Sequence, residues 1–182
     1  MAHIEGRIVH DADAHTMETP NWLEPFAEPK MRDEVQSYFH RTFTEARKTA
    51  FQETIALHED DAFNAKSEEA FMARKNHFAL GSFRKEDRPR AIDLLGVQKQ
   101  LLFPTTCNVL LEQLEFGDNM ALLYAMAQAS NRAQIDFCTV DERLMPVCNV
   151  PLASLEQAPV TAREAIELGA AALLIPWACP KH

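Results

Sequence analysis

Apolar runs and stretches of helical periodicity alternate along this chain, most regularly after residue 87. The runs at 97–103, 144–150 and 171–175 are continuous rather than alternating, as is typical of strands covered on both faces. Helical patterns occupy about 119–137 and about 154–168. The rhythm of strand, helix and strand predicts parallel βαβ units with right-handed crossovers.

Residues suited to capping stand at the starts of these two predicted helices. Asp118 or Asn119 is suited to cap the first, because short polar side chains accept hydrogen bonds from the free N–H groups of a first turn. Ser154, with Gln157 three residues later, resembles a capping box for the second. Pro159 then falls within the helix, so a start at this proline is the alternative.

The first half of the chain reads differently. A short apolar run from Ile8 leads into a polar strand end at residues 11–15, and three prolines within 19–29 predict an extended loop. Residues 31–80 read as helical: Val35, Phe39 and Phe43 recur every four positions, and Ala46 and Ala50 continue the stripe. A further helix is predicted over Ser67 to Phe78, with Ser67 in its opening turn. Because this block is long for a loop, we interpret 31–80 as a helical insertion that covers part of a site.

The most informative polar stretch is Asp11-Ala12-Asp13-Ala14-His15, at the end of the first predicted strand. Side chains alternate along a strand, so Asp11, Asp13 and His15 are expected on one face. In a (β/α)8 barrel that face can be the interior near the C-terminal mouth, where active sites lie. A carboxylate and an imidazole two residues apart can hold one metal ion from one side. Taken alone, the same residues also fit a solvated turn with a helix cap.

Four weaker candidates surround this pair, and each has two interpretations. Asp11 is either a hydrogen-bond partner of the metal ligands or a strand-end turn residue. Glu18 either orients His15 or has a surface or capping role. Thr105 either touches substrate or satisfies the backbone of a turn. Trp177 either lines a pocket or is buried against a helix.

Composition narrows the class of partner. The 182 residues are 47% hydrophobic and 25% charged, enough for one sizeable core, and the net charge is −9. The basic residues are scattered, which disfavours a nucleic-acid partner and an anionic membrane surface. No signal region or membrane span is recognisable, so we expect a cytoplasmic protein. The cysteines 107, 138, 148 and 179 are expected to be reduced and mostly buried.

Beyond these residues, the chain resembles the amidohydrolase-2 family, which includes aminocarboxymuconate-semialdehyde decarboxylase and the resorcylate-type decarboxylases. The resemblance lies in the order and spacing of short segments and covers most of the chain outside residues 31–80. The segments are Val9-His10-Asp11-Ala12-Asp13-Ala14-His15 through Glu18, Pro20 and Trp22-Leu23-Glu24-Pro25; Arg90 to Gly96 followed by Gln100-Leu101-Leu102-Phe103-Pro104-Thr105; Arg143-Leu144-Met145-Pro146-Val147; Val150-Pro151-Leu152; and Ala165-Ile166-Glu167-Leu168-Gly169.

The resemblance implies a (β/α)8 barrel that holds a divalent metal ion, usually zinc, at its C-terminal mouth. The acidic-x-His variant of the family's first-strand metal pair falls on Asp13 and His15. The family's other ligands follow strands five, six and eight, and no residue here corresponds to them. His40, His58 and His77 are interpreted as surface or packing residues. The implied chemistry is hydrolysis, or non-oxidative decarboxylation, of a small carboxylate-bearing substrate.

Residues 1–182 are therefore expected to form the N-terminal half of one such barrel domain, with about four strands. Strands one and four would then leave unpaired edges, which favours a homo-oligomer or poor solubility. A half barrel with two protein ligands is expected to bind metal weakly and to have little activity. The competing hypothesis, from a different class, is a non-catalytic α/β module that binds or interacts. An incomplete reading frame is a third interpretation.

Overall fold

The computed structural model describes residues 4–178, which form a four-stranded sheet with helices and so confirm the α/β class. All three strand pairings are parallel, and the strands lie side by side in chain order. The strands are β1 His10–Thr16, β2 Lys99–Pro104, β3 Leu144–Asn149 and β4 Ala172–Leu174. The helices are α1 Arg32–His40, α2 Glu45–His58, α3 Asp61–Glu69, α4 Arg88–Leu95, α5 Thr106–Glu115, α6 Met120–Cys138 and α7 Ala158–Leu168. Three single 3-10 turns are Phe71–Ala73, Asn76–Phe78 and Lys85–Asp87.

A bulge in β1 separates Asp11 from the two predicted ligands. Asp11 pairs with Gln100 and Ala14 with Leu102, so β1 advances three residues while β2 advances two. Strand side chains alternate, so the extra residue places Asp11 on the same face as Ala14 and opposite Asp13. The prediction that Asp11, Asp13 and His15 share one face is therefore wrong for Asp11.

The two faces of the sheet are covered differently. Ala14 and Leu102 belong to a buried cluster with Ile92 of α4 and Phe137 of α6, so this face is packed against helices. On the opposite face, Leu101 and Phe103 of β2 are only half-buried. Asp13 and His15 lie on this less covered face, which in a closed barrel would be the interior.

Helices α1 and α2 pack with α5 and α6 into a second apolar cluster. Val35 and Phe39 are completely buried in it, as the helical periodicity predicts. Ala46 and Ala50, however, are exposed, so the predicted continuation of the stripe is wrong. The chain leaves the helix after His40, and Thr44 caps α2 by accepting the N–H of Arg47. Helix α2 therefore packs against the core with a different face from the one that the predicted stripe marks.

Capping also explains a second difference from the sequence prediction. The third helix begins at Asp61, because the Asp60 carboxylate accepts the N–H of Ala62. Ser67 lies inside this helix and donates its hydroxyl to the carbonyl of Phe63, so it is not the start of a helix. Between Glu69 and α4 the chain makes only short 3-10 turns.

The remaining helix boundaries largely follow the sequence. Asn119, not Asp118, is the residue before α6, and its side chain accepts the N–H of Leu122. Helix α7 begins at Ala158, beside Pro159, so the alternative start is correct. Ser154 lies before the helix, but its hydroxyl accepts the N–H of Gln157 at 3.3 Å, as one half of a capping box would. Gly96 ends α4 with a left-handed φ of 81°, as predicted. Helix α5 was not predicted.

The outer edge of β1 is occupied along its C-terminal half. The Asp13 N–H donates to the Asp11 side chain, and the Met17 N–H donates to the carbonyl of Ser82 at 2.8 Å. The His15 carbonyl accepts from the Arg88 guanidinium at 3.3 Å. These bonds use backbone groups that a further strand would need, so this part of the edge differs from the open edge expected from the sequence.

Two further expectations concern the whole described chain. Cys107, Cys138 and Cys148 are buried free thiols, as expected, whereas Cys179 lies outside the described residues. Burial raises the pKa of Cys138 and of Cys148 to about 12, which makes both thiols poor nucleophiles. Within residues 4–178, no helix has both the length and the apolar character needed to cross a bilayer.

Candidate functional site

Asp13 and His15 meet where β1 approaches its C-terminal end. The Oδ1 atom of Asp13 lies 3.3 Å from the Nε2 atom of His15, so both side chains project to one side of the strand, as predicted. The Asp13 side chain is 90% exposed and that of His15 is 38% exposed, so the pair faces open space. The imidazole rests against the Phe103 ring, with centroids 5.7 Å apart. The two donor atoms are thus accessible and close together.

Thr105 lies beside the second nitrogen of His15. Its hydroxyl donates to the carbonyl of Thr16 at 2.6 Å, and the same oxygen lies 3.4 Å from His15 Nδ1. With its proton on Nε2, a neutral His15 donates to the Asp13 carboxylate. With its proton on Nδ1, it donates to Thr105 and has the Nε2 lone pair beside the carboxylate. A cation held by both residues requires the second form, because both donor atoms then offer a lone pair.

The separation of the two donor atoms suits a zinc ion. With ligand bonds of about 2.0–2.1 Å, two neighbouring ligands of a tetrahedral zinc ion lie about 3.3 Å apart. The observed Oδ1–Nε2 distance is also 3.3 Å. One carboxylate oxygen and one imidazole nitrogen are common zinc ligands. The separation of the two atoms therefore fits two positions of a zinc coordination shell.

Glu18 holds the start of α5 rather than His15. Its carboxylate is 1% exposed and accepts the backbone N–H groups of Thr105, Thr106 and Cys107 at 2.9, 2.9 and 3.0 Å. The free N–H groups and the dipole of a helix N-terminus both favour a negative charge there. Of the two interpretations for Glu18, capping is the one that the structure supports. It thereby also positions Thr105, which contacts His15.

Asp11 belongs to a separate polar network on the helix-covered face. Its Oδ1 accepts the N–H of Asp13 at 3.1 Å, and its Oδ2 accepts from the Gln100 side chain at 2.9 Å. Gln100 in turn accepts from Nε of Arg88 at 3.0 Å. No hydrogen bond joins Asp11 to the His15 side chain within the described residues, so the turn interpretation fits Asp11 better.

Trp177 lies at the rim of a cleft and is not buried. It is 85% exposed, so burial against a helix is wrong. Its indole N–H donates to the Glu112 carboxylate at 2.8 Å. The cleft has a volume of about 230 Å³ and also includes Asn108 and Asn149, whose side chains hydrogen-bond to each other at 3.0 Å. Trp177 therefore lines a pocket, the other of its two interpretations.

The three histidines of the helical segment fit packing roles. His40 contacts the carbonyl of Pro20 through Nε2 at 2.9 Å, and His58 contacts the carbonyl of His77 in the same way. Burial lowers the pKa of His58, and it lowers that of His77 to about 4. The ring of His77 packs edge-on against Phe51, with centroids 3.8 Å apart. The rings of His58 and His77 therefore stay neutral near pH 7.

The described residues complete no metal centre by themselves. Among residues 4–178, no group of three or more His, Cys, Asp or Glu side chains is placed to hold a metal ion. Comparison with protein-family models gives no match, and comparison with curated proteins gives none either. Support for a function comes from the side chains at the C-terminal ends of β1 and β2.

Proposed function

We propose that this chain supplies the first-strand part of the metal centre of an amidohydrolase-type (β/α)8-barrel enzyme, with Asp13 and His15 as ligands of a divalent ion, preferably zinc. The observation that carries the proposal is the distance of 3.3 Å between Asp13 Oδ1 and His15 Nε2, on a side of β1 that is open to solvent. In this proposal β1 to β4 are the first four barrel strands, and residues 31–80 are the helical insertion beside the site.

Each neighbouring residue has a defined part in that site. Thr105 holds the imidazole by accepting from Nδ1, and Phe103 supports the ring from the same face. Glu18 fixes the start of α5 and hence the position of Thr105. A bound divalent ion would acidify water and polarise a carbonyl or carboxylate oxygen. We propose hydrolysis or non-oxidative decarboxylation of a small carboxylate-bearing substrate as the reaction.

Catalytic zinc usually has three protein ligands and one open position. Since residues 4–178 bring together only two candidates, a third donor must come from other residues. We therefore propose that residues 4–178 alone bind zinc weakly and turn over substrate slowly. Robust turnover that is abolished by His15→Ala would contradict this part of the proposal.

A non-catalytic α/β binding module is the alternative, and the incomplete ligand set favours it. A module of this kind would keep the sheet and its buried clusters without needing a cation at Asp13. The two hypotheses make different predictions for added metal: the enzyme hypothesis requires Asp13 and His15 to bind it, whereas the module hypothesis does not.

Calorimetric titration of the chain with zinc separates these hypotheses. We expect one weak site that is lost in Asp13→Ala and in His15→Gln. His10→Gln is the matched control, because His10 is an exposed histidine of the same strand. Thr105→Val should weaken binding while leaving both ligands in place. Zinc binding that all four variants retain equally would contradict the proposed site.

A further inference from the structure

Three cationic side chains line one cavity on the helix-covered face of the sheet. The cavity has a volume of about 310 Å³ and lies between β1, β2, α4 and the segment 71–80. The cations are Arg74, Lys75 and Arg88, and none of them has a carboxylate of the described residues within 4.0 Å. The whole chain has a net charge of −9, so this cavity is a local concentration of positive charge in an acidic protein.

Arg88 is the central member of this group because it is buried. It is 7% exposed, and it donates through Nε to Gln100 and through Nη1 to the carbonyls of Gly81 and His15. These neutral acceptors satisfy part of the guanidinium but not its charge. Nη2 has no hydrogen-bond partner among the described residues. Buried charges in proteins are normally paired, because an isolated charge loses the solvation of water without compensation.

The acidic residue at the cavity acts on Arg88 only from a distance. Burial lowers the pKa of Arg88, and the charge of Asp11, the one carboxylate among the described lining residues, raises it. No ion pair within 4.0 Å joins the two residues. The two oxygens of Asp11 already accept from the Asp13 N–H and from the Gln100 side chain. Arg88 therefore has no direct ion-pair partner among the described residues.

The other lining residues indicate what kind of ligand would fit beside Arg88. The Nε atom of Arg74 is buried without a partner, and its guanidinium lies over the Phe63 ring at 4.4 Å. Lys75 is exposed and lies toward solvent. The other walls are mainly apolar. The cavity volume of about 310 Å³ is at the lower end of the range of about 300–1,000 Å³ for ligand pockets. The apolar lining residues are Ala14, Phe71, Met72, Ala79, Leu80, Ala91 and Leu95.

We infer that this cavity binds a small amphipathic organic anion, whose carboxylate or phosphate pairs with Arg88 and whose apolar part lies against Phe71 and Leu80. The site is independent of the proposed metal centre. Asp13 and His15 project from the opposite face of the sheet, so neither is needed to bind this ligand. The ligand supplies the direct ion-pair partner that Arg88 lacks among the described residues.

Calorimetric titration of the full chain at low salt tests this inference with three probes. The probes are 4-phenylbutyrate, phenyl phosphate and the uncharged 4-phenylbutanamide. We expect at least one anion to bind about tenfold more tightly than the amide, since each factor of ten needs only one modest charge contact. Inorganic phosphate should bind about tenfold more weakly than the better organic anion, because it cannot use the apolar walls. Equal binding of the anions and the amide would overturn the inference.

Two surface variants keep the test independent of folding. Met72→Glu, at a side chain that is 54% exposed, places an internal carboxylate at the cavity and should abolish anion binding. Lys75→Gln should weaken it, whereas Lys30→Gln, at an exposed lysine outside the cavity, should not. His15→Ala should also leave it unchanged. Anion binding that survives Met72→Glu, or no binding of either organic anion at millimolar concentration, would overturn the inference.

Discussion

Replacing Glu18 with alanine should destabilise the fold and disturb the Asp13–His15 site together, because one buried carboxylate serves both. Its two oxygens accept three backbone N–H groups at the start of α5, and the side chain is 1% exposed. A charge-assisted hydrogen bond contributes about 1.5–3 kcal/mol, but three bonds to one carboxylate are not additive. We expect a loss of about 3–5 kcal/mol, similar to breaking a buried charged contact.

Urea unfolding followed by circular dichroism measures this change. With a slope of about 2 kcal/mol per molar urea, the midpoint should fall by about 2 M. Glu18→Gln keeps one acceptor oxygen and should lose about half as much. Glu24→Ala is the matched control, since Glu24 is an exposed carboxylate of the same segment. If Glu18→Ala unfolds within about 0.3 M of Glu24→Ala, the capping role of Glu18 is refuted.

Three further predictions concern other parts of the fold. The pKa of His77 is lowered by burial to about 4, below about 6.5 in an unfolded chain, so the stabilisation from its neutral ring is complete above about pH 6.5 and is lost as the pH falls toward 4. Allowing for partial solvent exposure, urea midpoints should show that the wild type loses about 1 kcal/mol more than His77→Gln between pH 7 and pH 5, and equal losses would contradict this. Gly81→Ala should cost about 2–5 kcal/mol, because φ is +68° and the new Cβ would meet the Arg88 backbone at 2.6 Å. The control Gly6→Ala, with φ +70° and open space around the new Cβ, should cost about 1 kcal/mol. Equal melting temperatures of the two variants would contradict the clash. If the chain self-associates through the edge of β4, Leu173→Lys should reduce the mass measured by light scattering, and a monomeric wild type would contradict that association.

The sheet could be predicted from the sequence because its strands carry a local signal. Continuous apolar runs separated by helical patterns correspond to β2, β3 and β4, and their parallel order follows from the crossovers. The boundary at Gly96 could also be predicted, because a left-handed residue after a helix favours glycine. Both features depend on residues that are close in the chain.

The bulge in β1 and the helix α5 could not be predicted in this way. Simple alternation places Asp11 beside Asp13, and only the hydrogen bond from the Asp13 N–H to the Asp11 side chain indicates a local turn. Helix α5 has no side-chain cap from its own first residues. Its cap is Glu18, 88 positions before Thr106, and no local pattern reveals such a contact. The choice between the two interpretations of Trp177 could not be made from the sequence either, because the exposure of a large aromatic side chain depends on tertiary neighbours.

The candidate site was partly predictable for the same reason. Asp13 and His15 are two residues apart on one strand, so their proximity follows from strand geometry. The contact of Thr105 with His15 joins residues 90 positions apart, so no local pattern predicts it. The sequence therefore predicts the two donor atoms, whereas the structure adds their separation and the neighbours of the imidazole.

The proposed site requires a divalent cation to bind Nε2 of His15 beside the Asp13 carboxylate. Long-range ¹H–¹⁵N correlation spectra of the histidine rings, recorded above pH 7 with and without zinc, measure this directly. Added zinc should shift the Nε2 resonance of His15 in the wild type but not in Asp13→Ala. A His15 ring unaffected by millimolar zinc, or one that zinc shifts equally in Asp13→Ala, would contradict the proposed site.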